Sequence, residues 1–140
     1  MKERLVLAPF SVASLPDSAL ADHALRIVQA LLVDLDSAGA ILVASVDGFK
    51  LAHGGRLGSD PARLAAMASS MAALGDTTSR ETGIGAPSCM LIESNDGRLV
   101  VRSMQLRGRS VVVVLLIGKD LPLDRVKNSL AATEARLAEG

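Results

Sequence analysis

Val111, Val112, Val113, Val114, Leu115, Leu116 and Ile117 stand in one unbroken apolar row. A strand turns successive side chains to opposite faces, so a row without alternation needs cover on both sides. The sequence therefore asks for a central strand sandwiched between helices. The flanking patterns supply both partners. Arg107-Gly108-Arg109 precedes the row as a turn, behind a strand expected over 98–106. A shorter strand over 88–93 comes before that, closed by Asn95-Asp96-Gly97. Upstream, the apolar stretch 40–46, Asp47-Gly48 and then 49–52 read as a hairpin, because Asp-Gly suits a tight reversal between strands.

Three helices are expected. In the first, Leu20, Ala24, Ile27, Val28, Leu31 and Leu35 recur at helical spacing. Asp17 or Ser18 is the expected N-cap, and Ala38-Gly39 the stop. Asp60-Pro61 starts the second, which runs to about Glu81 before Gly83-Ile84-Gly85. In it Leu64, Met67, Met71 and Leu74 form the stripe expected to cover the sheet. Lys119-Asp120-Leu121-Pro122 opens the third, with Asp120 as cap and Leu123, Val126, Leu130 and Leu137 on one face. The order is helix, two strands, helix, three strands, helix. It describes an α/β (α+β) fold, a three-layer α/β/α sandwich around one five-stranded, mainly antiparallel sheet.

Composition narrows the function. The chain has 140 residues, one domain by length. Lys plus Arg and Asp plus Glu are both 15, so the positive excess of a nucleic-acid or polybasic membrane module is missing. Two Phe and no Trp or Tyr leave no stacking platform. The single Cys89 excludes an internal disulfide and fits a reducing, cytoplasmic setting. No apolar run approaches the roughly 20 residues of a membrane span. Lys2 and Arg4 precede an apolar 5–8, but Pro9 ends it too early for a signal peptide, so 1–16 is expected to be a tail.

Chemistry-bearing residues are sparse. His23 and His53 are the imidazoles, and neither falls in a base–nucleophile motif. Asp34 and Asp36 are two apart on a helix and do not face each other. His53-Gly54-Gly55-Arg56-Leu57-Gly58 lacks the Gly-Lys-Ser/Thr ending of a phosphate loop. Gly83-Ile84-Gly85 follows a helix instead of opening one. No catalytic residue, cofactor site or metal site is assigned.

Three stretches carry a resemblance: residues 39–52, with Val46-Asp47-Gly48-Phe49; residues 64–75, rich in Ala and Ser; and 81–102, from Glu81-Thr82-Gly83-Ile84-Gly85 through Leu91-Ile92-Glu93 to Gly97-Arg98-Leu99-Val100-Val101-Arg102. In this order and spacing the chain resembles the Roadblock/dynein light chain domain family, profilin-like relatives of longin domains. The resemblance covers about 17–139 and leaves 1–16 outside. It implies a non-enzymatic protein: a homodimeric scaffold or GTPase-activating partner of a small Ras-like GTPase. Bacterial and archaeal members are generally read as regulators of such a GTPase. Arg56, Arg107 and Arg109, in expected loops, are the candidates for GTPase contact, one of them as an arginine finger. A small-ligand sensory module and a structural adaptor subunit are the alternatives.

A dimer interface is expected from the residues themselves. Opposite the Leu64 stripe the second helix carries Ala62, Ala66, Ser69 and Ala73, with Ala65 and Ala72 flanking, where charge would mark a solvated face. Ser88, Cys89, Met90, Leu91 and Ile92 follow without a charge, and the implied sheet order makes them an edge strand.

Overall fold

The structure, a computed structural model, describes residues 3–139, and the side chains of 18–138. The elements are α1 (Glu3–Asp34), β1 (Ala40–Ser45), β2 (Lys50–Gly55), α2 (Pro61–Glu81), β3 (Met90–Ser94), β4 (Gly97–Leu106), β5 (Arg109–Ile117) and α3 (Leu123–Glu139). The five strands lie in the order β2-β1-β5-β4-β3, and every neighbouring pair is antiparallel.

Strand β5 has the cover its sequence demands. Val111, Val113, Leu115 and Ile117 enter a core with Leu20, Ile27, Leu31 and Leu35 of α1 and Val126 and Leu130 of α3. Val112 and Val114 face the other way, onto Leu64, Ala65 and Ala68 of α2. The layers are thus α1 and α3, sheet, α2.

Three boundaries differ from expectation. Helix α1 does not begin at Asp17 or Ser18; its backbone runs from Glu3 through Pro9 and Pro16. Proline fixes a helical φ but removes a hydrogen bond and crowds the carbonyl four residues back, a cost of about 3 kcal/mol that the first turns of this helix carry. The side chains of the expected tail lie outside the described residues. Asp120 does not cap α3, because Val126 N donates to Pro122 O (3.2 Å), which gives Pro122 the cap position. Strand β2 continues through His53-Gly54-Gly55, which read as loop, and pairs with 40–42. Those glycines are small because of their neighbours. A Cβ on Gly54 would lie 2.8 Å from Leu32 Cδ1 and 2.9 Å from Val28 Cγ1, where α1 crosses the strand. Gly55 has φ +83 and abuts the Gly39 carbonyl.

Candidate functional site

Helix α2 is built as its sequence reads. Asp60 Oδ1 accepts from Ala62 N (3.0 Å), and Pro61 fills the first turn. At the other end Ile84 N donates to Ser79 O (3.2 Å) and Gly83 takes φ +79, a left-handed helix stop. Ser79 Oγ donates to Gly85 O and pins that turn. Arg80 Nε lies 3.0 Å from Asp76 Oδ2; the hydrogen bond, then the charge of Asp76, hold the guanidinium pKa above its ordinary value.

The face that α2 gives to the sheet keeps Leu64 and Met71 of the expected stripe but is turned away from Met67 and Leu74. Leu64, Ala65 and Ala68 are buried there, with Met71 and Ala72 partly buried. Met67 and Leu74, expected against the sheet, are 51% and 65% exposed. The physical reason is space. Leu42, Val101, Val112 and Val114 fill the sheet surface, so alanines let the helix come close. Ala65, expected at a dimer interface, is 0% exposed and belongs to the core.

The opposite flank is also partly used. The β1–β2 turn leans on it: a Cβ on Gly48 would sit 3.0 Å from Ser69 Oγ and 3.3 Å from Ala66 Cα. That approach leaves no room for a side chain at Gly48, while Ala66 itself stays exposed and Ser69 half-buried. Ala62, Ala73, Met67 and Leu74 remain exposed. This flank continues into β3. Met90 and Ile92 pair with Val101 and Leu99 on the α2 face, while Leu91 pairs with Val100 on the other. Leu91 and Ile92 are 38% and 50% exposed; Ser88 is exposed, and Cys89 and Met90 are half-buried.

The two free edges of the sheet are unlike. Edge strand β2 has a register shift between Val43 and Ala44 in its pairing, begins at Lys50 and ends on two glycines. Such features discourage strand addition. Edge strand β3 pairs regularly through all of Met90–Ser94 and shows two large apolar side chains. Beside it lie two concavities. One of about 520 Å³ is bounded by Leu74, Thr78, Ile84, Pro87 and Met90. The other, about 390 Å³, is a shelf where Ile92, Leu99 and Leu116 lie beside Ser94, Asp96 and Arg98.

Residues 25–106 match the sequence model of the Roadblock/LC7 domain, more than half of the chain. The chain belongs to the Roadblock/LC7 family. Among solved structures it is similar to MglB of Myxococcus xanthus, with TM-score 0.71 and 16% identity over 85% of this chain and 87% of that one. Gliding protein MglB from Thermus thermophilus gives TM-score 0.64 and 23% identity, covering 84% and 89%. A Roadblock/LC7 domain from Streptomyces avermitilis gives 0.63 and 18%, covering 74% and 84%. At these identities the likeness is one of fold. No curated protein matches the chain by sequence.

The Roadblock fold scatters the expected arginines. Arg56 N donates to Gly39 O (2.7 Å) at the end of the sheet where β1 starts. Arg107 and Arg109 lie at the opposite end, on the β4–β5 turn. All three are exposed, but they do not converge. His23 Nδ1 is 2.8 Å from Ala19 O, one turn back on α1, and His53 is exposed on β2. Asp34 accepts from Ser129 Oγ and ties α1 to α3. Among the described residues no three His, Cys, Asp or Glu gather as a metal site, and no helix is long and apolar enough to cross a membrane.

One polar tie behind the β3 edge was not legible in the sequence. Arg102 Nη2 meets Glu134 Oε1 at 2.7 Å, and Arg102 Nη1 donates to Ser88 O (3.2 Å). Glu134 Oε2 accepts from Gln105 N (2.8 Å). The two side chains are only 17% and 24% exposed, so the pair holds α3, β4 and the segment leading into β3 together away from bulk water. Glu134→Ala leaves the guanidinium short of its partner and is expected to cost about 2 kcal/mol. Urea unfolding checks it: the midpoint falls with the slope unchanged. An unmoved midpoint contradicts the assignment.

Proposed function

We propose that this Roadblock/LC7 domain is a cytoplasmic homodimer that binds and regulates a small Ras-like GTPase, as a GTPase-activating protein or as a scaffold. Residues 17–139 are the unit proposed to carry this role. The observation behind the reading is the regularly paired β3 edge, apolar at Met90, Leu91 and Ile92 before Glu93, beside the exposed Met67–Leu74 flank of α2. A two-fold axis through the middle of β3 pairs that strand with its twin and makes one continuous sheet. Centred on Ile92, it sets Met90 opposite the twin's Ser94. The Leu74 flank of one protomer then lies over the Ile92, Leu99 and Leu116 shelf of the other. Apolar surface now in water is buried twice, at about 25 cal/mol per Å². The remaining interface residues are Ala62, Ala66, Ser69, Ala73, Ser88, Cys89, Met90, Leu91 and Ile92.

The mode of regulation follows from a rigid two-fold scaffold. The partner brings its own nucleotide site; the dimer fixes the partner's mobile switch loops in one arrangement. Arg56, Arg107 and Arg109 are the candidate contacts, and a finger role for one of them would show as a loss of about 10³-fold in stimulated rate on substitution by Ala.

The test uses a Ras-like GTPase from the same genome, loaded with GDP or a GTP analogue. The dimer is expected to bind the GTP form more tightly and to change hydrolysis or exchange. Calorimetric titration of the dimer alone with GTP and magnesium is expected to give no micromolar binding. Equal binding to both nucleotide states, with neither rate altered, overturns the regulatory reading.

A further inference from the structure

A second surface lies away from the β3 edge, at the end of the sheet where the β1–β2 and β4–β5 turns sit side by side. Ser45 of β1 pairs with Val111 of β5, so both turns project from that end. Their centres lie two strand spacings apart, about 10 Å. The first turn is rigid. Ser45 N donates to Phe49 O (2.8 Å), Phe49 N donates to Ser45 Oγ (3.1 Å), and Gly48 is seated against α2. It nonetheless holds Val46 and Phe49 out in water, 56% and 62% exposed. The core does not need them, and Asp47-Gly48 already supplies the turn chemistry.

The second turn carries a cost. Arg107 has φ 52 and Gly108 φ 80, so both central residues of this two-residue hairpin are left-handed. That geometry suits Asn-Gly. A long side chain there costs about 1–2 kcal/mol. Strain kept at an exposed arginine is a reason to look for what the arginine does. Lys50, also exposed, adds a second positive charge beside Phe49. Asp47 is the carboxylate within the hairpin turn, and Glu134, near Gln105, is already paired with Arg102.

We infer that Val46 and Phe49, flanked by Lys50 and Arg107, form the docking surface for the partner GTPase, which meets them with an apolar recess rimmed by carboxylates. The inference rests on the regulatory reading for the identity of the partner. The charge pattern and the rigid apolar tip are what select the chemistry of its surface. Phenylalanine and arginine are both enriched at protein interfaces. The surface lies apart from the β3 edge, so a dimer can use both at once.

The test is calorimetric binding of a Ras-like GTPase from the same genome, loaded with a GTP analogue, to the wild type, Phe49→Ser and Arg107→Asn. Phe49→Ser is expected to weaken binding by about 30-fold, the loss of one anchor. Arg107→Asn is expected to weaken it several-fold at low salt and to flatten its salt dependence. The same Arg107→Asn variant should unfold at a higher temperature, because asparagine accepts the left-handed backbone; a misfolded variant would show the reverse. Both variants should stay dimeric. If the wild type binds and both variants bind within twofold of it, the docking surface lies elsewhere and only this inference falls. If the wild type does not bind, the regulatory reading falls and takes this inference with it.

Discussion

Leu74→Glu is expected to turn the protein into a monomer at tens of micromolar, with its helical circular dichroism unchanged. Leu74 is 65% exposed in the single chain, so the substitution removes nothing the fold depends on. In the dimer proposed above, the same position lies over the apolar shelf of the twin. A carboxylate there must leave water against Ile92, Leu99 and Leu116, where Arg98 at the rim is already paired with Glu93, and two copies face two shelves. The expected change is at least about 100-fold in the dissociation constant. Ala73→Glu, on the same exposed flank, should act in the same direction with a smaller effect. Ala66→Glu is not an equivalent test. Ala66 lies beside the β1–β2 turn at Gly48, so a glutamate there changes the surroundings of the hairpin as well as the flank. Light scattering decides the matter. A wild type that is monomeric at tens of micromolar, or a Leu74→Glu variant that stays dimeric, contradicts the interface.

Gly55→Ala is expected to lower stability by about 3 kcal/mol and the unfolding temperature by roughly 10 °C. Two costs add. The residue sits at φ +83, which a Cβ disfavours, and the new Cβ would meet backbone, the Gly39 carbonyl oxygen and the Ala40 Cα at 2.9 Å. Backbone in a paired strand cannot swing aside as a side chain can. Arg56 N also bonds Gly39 O, so relief by shifting the end of β2 would lengthen a 2.7 Å hydrogen bond. Gly58→Ala is the control, because a Cβ there meets nothing within 4 Å. It should leave the unfolding temperature within about 2 °C. Equal behaviour of the two variants would mean that Gly55 is not under the constraint described.

The features legible in the sequence are those whose cause lies within a few residues. Asp60-Pro61 starts α2 because a carboxylate reaches an amide two positions on, whatever the rest of the chain does. The unbroken row at 111–117 announces a strand covered on both faces, because the period of a strand is a property of its own backbone. From these local facts the element order, the layers and the uncharged stretch Ser88–Ile92 followed; that this stretch lies at a sheet edge was implied by the family resemblance. The glycines at 54 and 55 were legible as glycines but not as strand. Their reason is the approach of Val28 and Leu32 on α1 and of Gly39 on β1, residues distant in sequence.

The face of α2 was decided by the tertiary structure alone. Leu64, Met67, Met71 and Leu74 and the alternative set Leu64, Ala65, Ala68 and Ala72 both repeat with helical spacing. Periodicity cannot say which stripe meets the sheet. The pleat does, because Leu42, Val101, Val112 and Val114 fill the gap and admit only small partners. That choice pushes Met67 and Leu74 outward and makes them interface candidates that a helical wheel assigns to the core. The three arginines show the same limit. Arg56 and Arg107 are alike as loop residues, yet antiparallel strand order sends them to opposite ends of the sheet. The sequence by itself determined which segments are helix and strand and which surfaces carry no charge, since those follow from local backbone chemistry. Which of those surfaces stays open to a partner was decided only when the sheet chose the residues it could pack against.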